Sequence, residues 1–287
     1  MIRRLISTER IIPNLLINLF GLQGIRYIFA HLIYNLKFKV TKKNEHVKSA
    51  KKNGYCKIEN FLSLENLDDL KKEYEDLINS KYCKNLQNDG TQYLTVYLND
   101  ISILKNYPLI KKTINDERIK NLFNQSENKK ETSINCRLER IIVRDNNIED
   151  TNKNFHYDTF HNTFKAWLYL SDSDDKNGPL VIVPGSHRFS IKRVLNSYKE
   201  SIRYCLFFKK DREHKTQNVL NKYAKDNYQF FRYKDKKKQF DKLANKMLSK
   251  KNTFLFANTH CIHRRGDAKE NNIRDAIHFY SRENPFY

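Results

Sequence analysis

The sequence lacks a cysteine framework. Its five cysteines form no CxxC pair and no even set that disulfides could join. Small secreted domains depend on such frameworks, whereas proteins of a reducing compartment use cysteine mainly as a small buried apolar residue. We therefore expect a cytoplasmic protein without a disulfide scaffold.

Internal repeats, a cleavable secretory signal and a long uncharged hydrophobic run are also missing. The charge-free part of the apolar N-terminal stretch, residues 11–25, is too short to span a bilayer comfortably, and Pro13, Gly21 and Gly24 interrupt the stretch. Recurring polar residues favour helices that lie in a membrane interface, at its cytoplasmic face. A helix pair packed on the rest of the protein is the alternative, and a spanning helix is the least favoured.

Acidic residues are scarce in two segments, and the positive charge is concentrated there. The 287 residues carry a formal net charge of +21. Residues 1–50 contain nine Lys or Arg against two acids, and residues 190–251 contain nineteen against six, whereas the remainder is nearly balanced. A Lys-rich composition alone explains such an excess. Contact with an anionic partner, a phospholipid surface or a nucleic acid, explains it equally well.

The order of predicted elements indicates a β domain with helices outside. Ser63 is expected to cap a helix over residues 64–78, where apolar residues recur at helical spacing. The second half alternates as strands do. Helices followed by many strands predict a β-sandwich or jelly-roll, with a basic helical insertion at 190–251. We divide the chain into a helical segment, residues 1–50, and one domain, residues 51–287.

A short motif in the middle of the chain points to a metal. In His156-Tyr157-Asp158, the His and the carboxylate lie two residues apart, so on an extended strand both point to one face. His263, from a distant strand, can complete three ligands on one side of a metal. Two His and one carboxylate with open positions are expected of non-haem Fe(II) oxygenases. Arg274 can then clamp a carboxylate bidentately.

Two alternatives to this metal site stay open. His260 lies three residues before His263 and competes with it as the distal ligand. Zinc also accepts His and Asp ligands, so the same three residues suit another metal or an inactive relative.

The stretch from about Lys52 to the C-terminus resembles the phytanoyl-CoA dioxygenase family. The matching landmarks come in the family's order: Gly54-Tyr55, Phe61-Leu62-Ser63, His156-Tyr157-Asp158, Trp167, Asn177-Gly178-Pro179-Leu180, Val183-Pro184-Gly185-Ser186-His187, Phe256 to Gly266, and Arg274. The resemblance implies a double-stranded β-helix, which is a jelly-roll or cupin-like core flanked by helices. It further implies Fe(II), 2-oxoglutarate as co-substrate, and O2.

The resemblance also implies roles for single residues. His156, Asp158 and His263 match the iron ligands, and Arg274 matches the arginine that pairs with the far carboxylate of 2-oxoglutarate. Trp167 and Tyr157 match residues that line the co-substrate pocket. Relatives that halogenate carry a small residue in place of the ligand carboxylate, so Asp158 argues for hydroxylation.

Three further residues are expected to contact substrate. Arg140 is our choice among the arginines before the metal motif, and His161 follows that motif by a few residues. Many relatives have Ser or Thr two residues after the distal His, where this sequence has Arg265. Its guanidinium either replaces the hydroxyl in binding 2-oxoglutarate or points outward.

These observations predict a 2-oxoglutarate-dependent hydroxylase of a small or lipid-linked, anionic metabolite. Residues 1–50 are expected to contact an anionic membrane peripherally. One rival is an oxygenase that acts on nucleic acid through the basic insertion. Another is a non-catalytic protein of the same fold that binds a membrane surface. The sequence does not indicate an oligomeric state.

Overall fold

Two antiparallel sheets and eight α-helices form the part of the chain that the structure, a computed structural model, describes: residues 6–37, 44–88, 90–100, 102–145, 150–212, 233 and 236–286. The helices are α1 (Leu15–Leu19), α2 (Leu22–Lys37), α3 (Glu45–Asn53), α4 (Leu64–Ile78), α5 (Pro108–Ile114), α6 (Glu117–Glu127), α7 (Ile191–Arg212) and α8 (Lys237–Asp241). The strands are β1 (Tyr55–Ile58), β2 (Lys84–Asn88), β3 (Thr91–Tyr97), β4 (Asn135–Val143), β5 (Phe164–Tyr169), β6 (Leu180–Ile182), β7 (Asn245–Lys246), β8 (Phe254–Asn258), β9 (His263–Arg265) and β10 (Ile273–Tyr280).

The larger sheet has seven strands in the order β1-β8-β5-β10-β4-β3-β2, and the smaller has the order β7-β6-β9. Every strand pair is antiparallel. A bridge between His156 and His263 extends the smaller sheet beyond β9. The mainly β architecture with flanking helices that the sequence predicted is therefore present.

Helices cover one face of the larger sheet. Ser63 caps α4 as predicted, because its side chain accepts a hydrogen bond from the Asn66 backbone N–H. Residues of α4 at helical spacing, such as Leu70 and Tyr74, are buried in the main core with Leu138 and other residues of the central strands. Burial of this apolar surface is the main force that holds the helices on the sheet.

Side-chain alternation gives the central strands two different faces. Leu138 of β4, Leu168 of β5 and Ile277 of β10 point to the helices and are fully buried. Their neighbours in the sequence point to the opposite face, toward the smaller sheet. There Arg137 of β4, His278 of β10 and Trp167 of β5 lie side by side.

The N-terminal helices α1 and α2 pack on α7. This is the helix pair packed on the rest of the protein that the sequence offered as an alternative. The Tyr198 hydroxyl of α7 donates to the Leu19 backbone carbonyl, and the Val194 side chain lies against Gly24 of α2. Among the described residues, none of the helices combines the length and the apolar composition that a membrane span requires. The predicted insertion at 190–251 contributes α7, α8 and β7, and its basic aromatic middle lies outside the described residues.

Gly54 and Gly21 provide a matched test of packing. Both have positive φ, +91° and +87°, which costs an L-residue about 1–2 kcal/mol. A Cβ atom at Gly54 would overlap the Cys261 Sγ and approach His187 Nδ1, whereas one at Gly21 would meet nothing within 4 Å. We predict that Gly54→Ala lowers the free energy of unfolding by about 1–3 kcal/mol more than Gly21→Ala does. Equal losses in urea denaturation would contradict this packing.

Candidate metal centre and its pocket

Three side chains converge where the smaller sheet meets the larger one. The backbone N–H groups of His156 and His263 each donate to the other's carbonyl at 2.8 Å, and the Asp158 N–H donates to the Thr259 carbonyl. These bonds hold the extended metal motif beside β9. One ligand atom from each of His156, Asp158 and His263 lies within 4.8 Å of the others, a spacing that can hold a metal ion.

Backbone carbonyls orient both imidazoles. His156 Nδ1 lies 2.8 Å from the Asn154 carbonyl oxygen, and His263 Nδ1 lies 2.9 Å from the Cys261 carbonyl oxygen. A neutral imidazole that donates from Nδ1 has its lone pair on Nε2, as metal-binding histidines do. The two Nε2 atoms lie 3.8 and 3.9 Å from Asp158 Oδ1, too far for hydrogen bonds. This donor set fits a cation between the three residues.

The Asp158 carboxylate is buried and ionised. Burial raises the pKa of Asp158, but the opposing electrostatic effect of nearby groups, led by Lys165, holds that pKa well below its usual value. The Lys165 Nζ lies 2.6 Å from Asp158 Oδ2. The site therefore offers an anionic ligand at neutral pH, with a lysine ammonium beside it.

His260 has a different environment from His263. Its ring packs against the rings of Tyr27 and His31, and its Nδ1 lies 2.8 Å from the Thr159 carbonyl oxygen. It does not belong to the converging group. The structure thus places His263, not His260, beside the metal motif, which agrees with the sequence preference.

A cavity of about 160 Å³ opens beside the three ligands. Its wall residues come from β3, β4, β5, β6, β9, β10 and nearby loops, and include Tyr93, Arg137, Glu139, Lys165, Trp167, Tyr169, Arg265, Arg274 and His278. The Trp167 ring stacks on the His278 ring, with centroids 5.3 Å apart and planes within 10°. The pocket is therefore strongly charged and has one aromatic wall.

A protein-family model for phytanoyl-CoA dioxygenase matches residues 50–201, more than half of the chain. The chain belongs to the phytanoyl-CoA dioxygenase family. It is accordingly a 2-oxoglutarate-dependent oxygenase with Fe(II), 2-oxoglutarate and O2 as its cofactor and co-substrates. The jelly-roll core predicted from the sequence is confirmed. No curated protein matches the chain significantly.

Three solved structures are similar to this phytanoyl-CoA dioxygenase family member at low identity. The epimerase SnoN in complex with Fe3+, alpha ketoglutarate and nogalamycin RO is 11% identical, covers 82% of this chain and 81% of its own, and has a TM-score of 0.50. EctD from S. alaskensis with bound Fe is 12% identical, with 83% and 76% covered and a TM-score of 0.48. HygX from Streptomyces hygroscopicus with nickel, 2-oxoglutarate and hygromycin B is 12% identical, with 83% and 87% covered and a TM-score of 0.45.

Two of the predicted co-substrate residues line the pocket of this family member. Trp167 forms its aromatic wall, and Arg274 reaches it from β10 with a guanidinium nitrogen donating to the Gly178 carbonyl. Tyr157 does not line it. Because it lies between His156 and Asp158 on extended chain, its side chain points to the opposite side, into a cluster with Ile11 and Tyr204.

Two predicted substrate contacts lie elsewhere in the structure, which corrects the sequence expectation. Arg140 points to the helix-covered face of β4, where its Nε donates to Asp275 Oδ1 at 2.7 Å and it pairs with Glu75. Its neighbour Arg137 lines the pocket instead. His161 is buried under the N-terminal helices, with its Nδ1 2.9 Å from the Asn162 carbonyl oxygen. Strand alternation excludes Arg140, and the chain reversal after the metal motif carries His161 away.

Arg265 lines the pocket, but its guanidinium is already bonded. It forms a buried ion pair with Asp150, donates to Thr91 Oγ1 at 2.6 Å, and donates to the Tyr93 hydroxyl at 3.0 Å. The sequence offered two alternatives, that Arg265 binds 2-oxoglutarate or that it points outward. Neither describes it fully, since Arg265 does not point to solvent and its charge is already paired with that of Asp150. It fastens the loop before the metal motif to β3 and β9.

Lys165 and His278 are pocket residues that the sequence reasoning missed. Both ring nitrogens of His278 are buried without a hydrogen-bond partner among the described residues. Burial, then Arg137 and Lys165, lower the pKa of His278 well below its usual value, so the ring is neutral. Counting by two along each strand would have found both, because Lys165 precedes Trp167 by two and His278 follows Arg274 by four.

Removal of one partner of the buried Asp150–Arg265 pair should destabilise the protein strongly. Asp150→Ala leaves a buried guanidinium without its counter-charge, so we predict a loss of about 3–5 kcal/mol in the free energy of unfolding. Asp69→Ala removes an exposed pair with Lys72 and should cost less than about 1 kcal/mol. Urea denaturation of both variants measures the difference. Similar losses would show that Arg265 is not held as described.

Proposed function

We propose that this enzyme hydroxylates a C–H bond of a small or lipid-linked metabolite that carries an anionic group. The observation that carries the proposal is the ionised Asp158 facing two carbonyl-oriented imidazoles, beside a pocket with cationic walls. The similar solved structures include the epimerase SnoN in complex with nogalamycin RO. A small-molecule substrate is consistent with a cavity of this size.

We assign His156, Asp158 and His263 as the ligands of Fe(II). Each imidazole presents Nε2, and Asp158 presents Oδ1. Iron held there, with 2-oxoglutarate and O2, supplies the oxidant that breaks the substrate C–H bond. The carbonyls that accept from each Nδ1 keep the rings in the binding orientation. Since the carboxylate is retained at Asp158, a halide has no vacant ligand position there, which favours hydroxylation.

Arg274 is assigned to the far carboxylate of 2-oxoglutarate. It is buried on β10, lines the same cavity as His156 and His263, and has a guanidinium that suits bidentate carboxylate binding. Trp167 provides the flat wall along which the co-substrate lies. Arg265 is excluded from this role because Asp150 already neutralises it.

Lys165 is the pocket cation that we assign to the substrate. In this structure Lys165 neutralises Asp158, but a metal dication bound to Asp158 takes over that role. Other cations of the wall have carboxylate partners: Arg137 pairs with Glu139 at 2.5 Å, and Arg265 pairs with Asp150. With Arg274 engaged by 2-oxoglutarate, the Lys165 ammonium is left for one anionic group of the substrate.

Besides its substrate, we propose that the enzyme has an anionic membrane surface as a partner. Residues 1–50 contact this surface peripherally, at the cytoplasmic face. Support comes from charge, since residues 10–44 contain no Asp or Glu. The nucleic-acid rival depends on basic and aromatic residues of the insertion, most of which lie outside the described residues. The non-catalytic rival is disfavoured, because a retired site has no need of an ionised, metal-ready carboxylate.

Iron and co-substrate binding test the ligand assignment. Anaerobic addition of Fe(II) and 2-oxoglutarate should give a weak visible charge-transfer band that His156→Ala and Asp158→Ala abolish. Arg274→Ala should weaken 2-oxoglutarate binding by about 10- to 100-fold, the value of a charge-assisted hydrogen bond of roughly 1.5–3 kcal/mol. Tyr157→Phe, outside the pocket, is the control and should retain the band. A wild-type enzyme without the band would refute the assignment.

Lys165→Met tests the charge argument. Because an ammonium and a dication repel by several kcal/mol at an effective dielectric constant of about 20, the variant should bind Fe(II) at least about tenfold more tightly. Lys176→Met, an exposed lysine of a turn, should leave affinity unchanged. Chelator competition measures both. Weaker iron binding in Lys165→Met would show instead that the lysine orients Asp158 for the metal.

The substrate itself is sought by succinate formation. A panel should contain anionic, neutral and lipid-linked compounds, and turnover above the uncoupled background should be confined to anionic ones. Lys165→Met should lose that preference while Lys176→Met keeps it. Turnover of neutral compounds only would overturn the proposed substrate class without affecting the oxygenase assignment.

A further inference from the structure

The first two helices expose apolar side chains where a soluble domain usually exposes polar ones. Seven large apolar residues of α1, α2 and the turn between them are exposed: Leu16, Leu19, Phe20, Ile25, Phe29, Leu32 and Leu36. The most exposed are Leu36, at 81%, and Phe20, at 79%. In α2 the exposed residues follow at intervals of four, three and four, so they form one stripe along the helix.

The polar residues of the same helices point inward. Asn18, Gln23, Arg26 and His31 are each at most 3% exposed. Arg26 donates to the backbone carbonyls of Ser7 and Glu9 and to Gln23 Oε1. These bonds satisfy groups that are costly to bury unpaired. These hydrogen bonds therefore keep the polar side of the helices toward the protein and the apolar side toward solvent. A rotation of the helices that buried the apolar stripe would break the bonds.

Helix α7 extends this apolar face. Val194 of α7 packs against Gly24 of α2, so the two helices lie in close contact. Ile191 and Leu195, on either side of Val194, are 70% and 53% exposed. We call the seven exposed apolar residues of α1, α2 and the turn between them, together with Ile191 and Leu195, the apolar face. Contiguous exposed surface of this kind marks an interaction site.

Lysines outnumber acids among the exposed charges of α2 and α7. Lys37 ends α2, and Lys192 and Lys199 of α7 are exposed. Among the described side chains of α7, the acidic residue is Glu200, which is 8% exposed and forms an ion pair with Arg203. With no acid between residues 10 and 44, the surroundings attract anions. Apolar side chains flanked by lysine and arginine suit insertion at the headgroup level of an anionic bilayer.

We propose that the apolar face docks this enzyme on an anionic lipid bilayer, with α1 and α2 lying in the plane of the interface. A second copy of the chain is a poorer occupant, because it would bring the same positive charges into contact. The docking deepens the proposed function, since it would bring a lipid-linked substrate to the enzyme. It rests on surface residues alone, and its failure would leave the iron and 2-oxoglutarate assignments untouched.

Vesicle sedimentation of the full chain tests the docking. We expect binding to vesicles that contain phosphatidylcholine and phosphatidylglycerol in about equal amounts, and much weaker binding to phosphatidylcholine alone or at high salt. The triple variant Phe20→Ser/Phe29→Ser/Leu36→Ser should bind at least about 100-fold more weakly, because three large side chains no longer enter the bilayer. Lys37→Glu/Lys192→Glu should weaken binding to the anionic vesicles specifically.

The matched control is Leu64→Ser/Leu86→Ser, which changes exposed leucines outside the apolar face and should bind like the wild type. All variants should retain the anaerobic iron and 2-oxoglutarate band, which separates loss of docking from loss of the catalytic site. Equal binding by the triple variant and the control would overturn the proposal. So would a wild type that ignores anionic vesicles but forms a dimer that the triple variant abolishes.

Discussion

The charge of Asp158 is the constraint on which the site depends. A carboxylate buried between two imidazoles must be neutralised, because an isolated buried ion costs more free energy than one side-chain contact returns. In this structure the Lys165 ammonium provides the counter-charge. On the proposed assignment, a metal dication would provide it in the working oxygenase, and the lysine would then be released for another anion. One buried charge would thereby connect metal binding with the selection of substrate.

The second constraint is the period of two along an antiparallel strand. The central strands must satisfy helices on one face and a charged cavity on the other, and alternation lets a single strand do both. In β10, Ile277 belongs to the core and His278 belongs to the pocket, although they are neighbours in sequence. A one-residue shift in register would exchange them. The pairing of β10 with both β4 and β5 fixes the register from two sides.

The sequence was sufficient for the features that depend on local pattern. Ser63 caps its helix as predicted. The structure brings His156 and Asp158 together and places Arg274 on a strand at the pocket, while the roles assigned to these three residues stay predictions. Errors arose where a side chain's direction mattered. Tyr157 and Arg140 were assigned to the pocket, but alternation directs them away from it.

Other features depend on partners distant in sequence. Lys165 acquires its importance from Asp158, and Arg265 acquires its role from Asp150 on a loop more than a hundred residues earlier. A hydropathy pattern shows that α2 has an apolar and a polar side. It does not show which side faces the protein, because that choice rests on carbonyls and rings that only the fold brings near Arg26 and His31.

Those same partners tie the N-terminal helices to the catalytic domain. His31 of α2 has its Nε2 3.1 Å from the His187 carbonyl oxygen, and His187 Nδ1 lies 3.1 Å from the Cys261 Sγ. The Cys261 carbonyl in turn orients His263. Removal of α2 would therefore expose buried polar groups a few contacts from a candidate metal ligand. It follows that α2 both supports the structure of the domain and carries part of its apolar surface. A truncation would therefore disturb the pocket as well as remove that surface. Point substitutions on the surface separate the structural role of α2 from its role in docking.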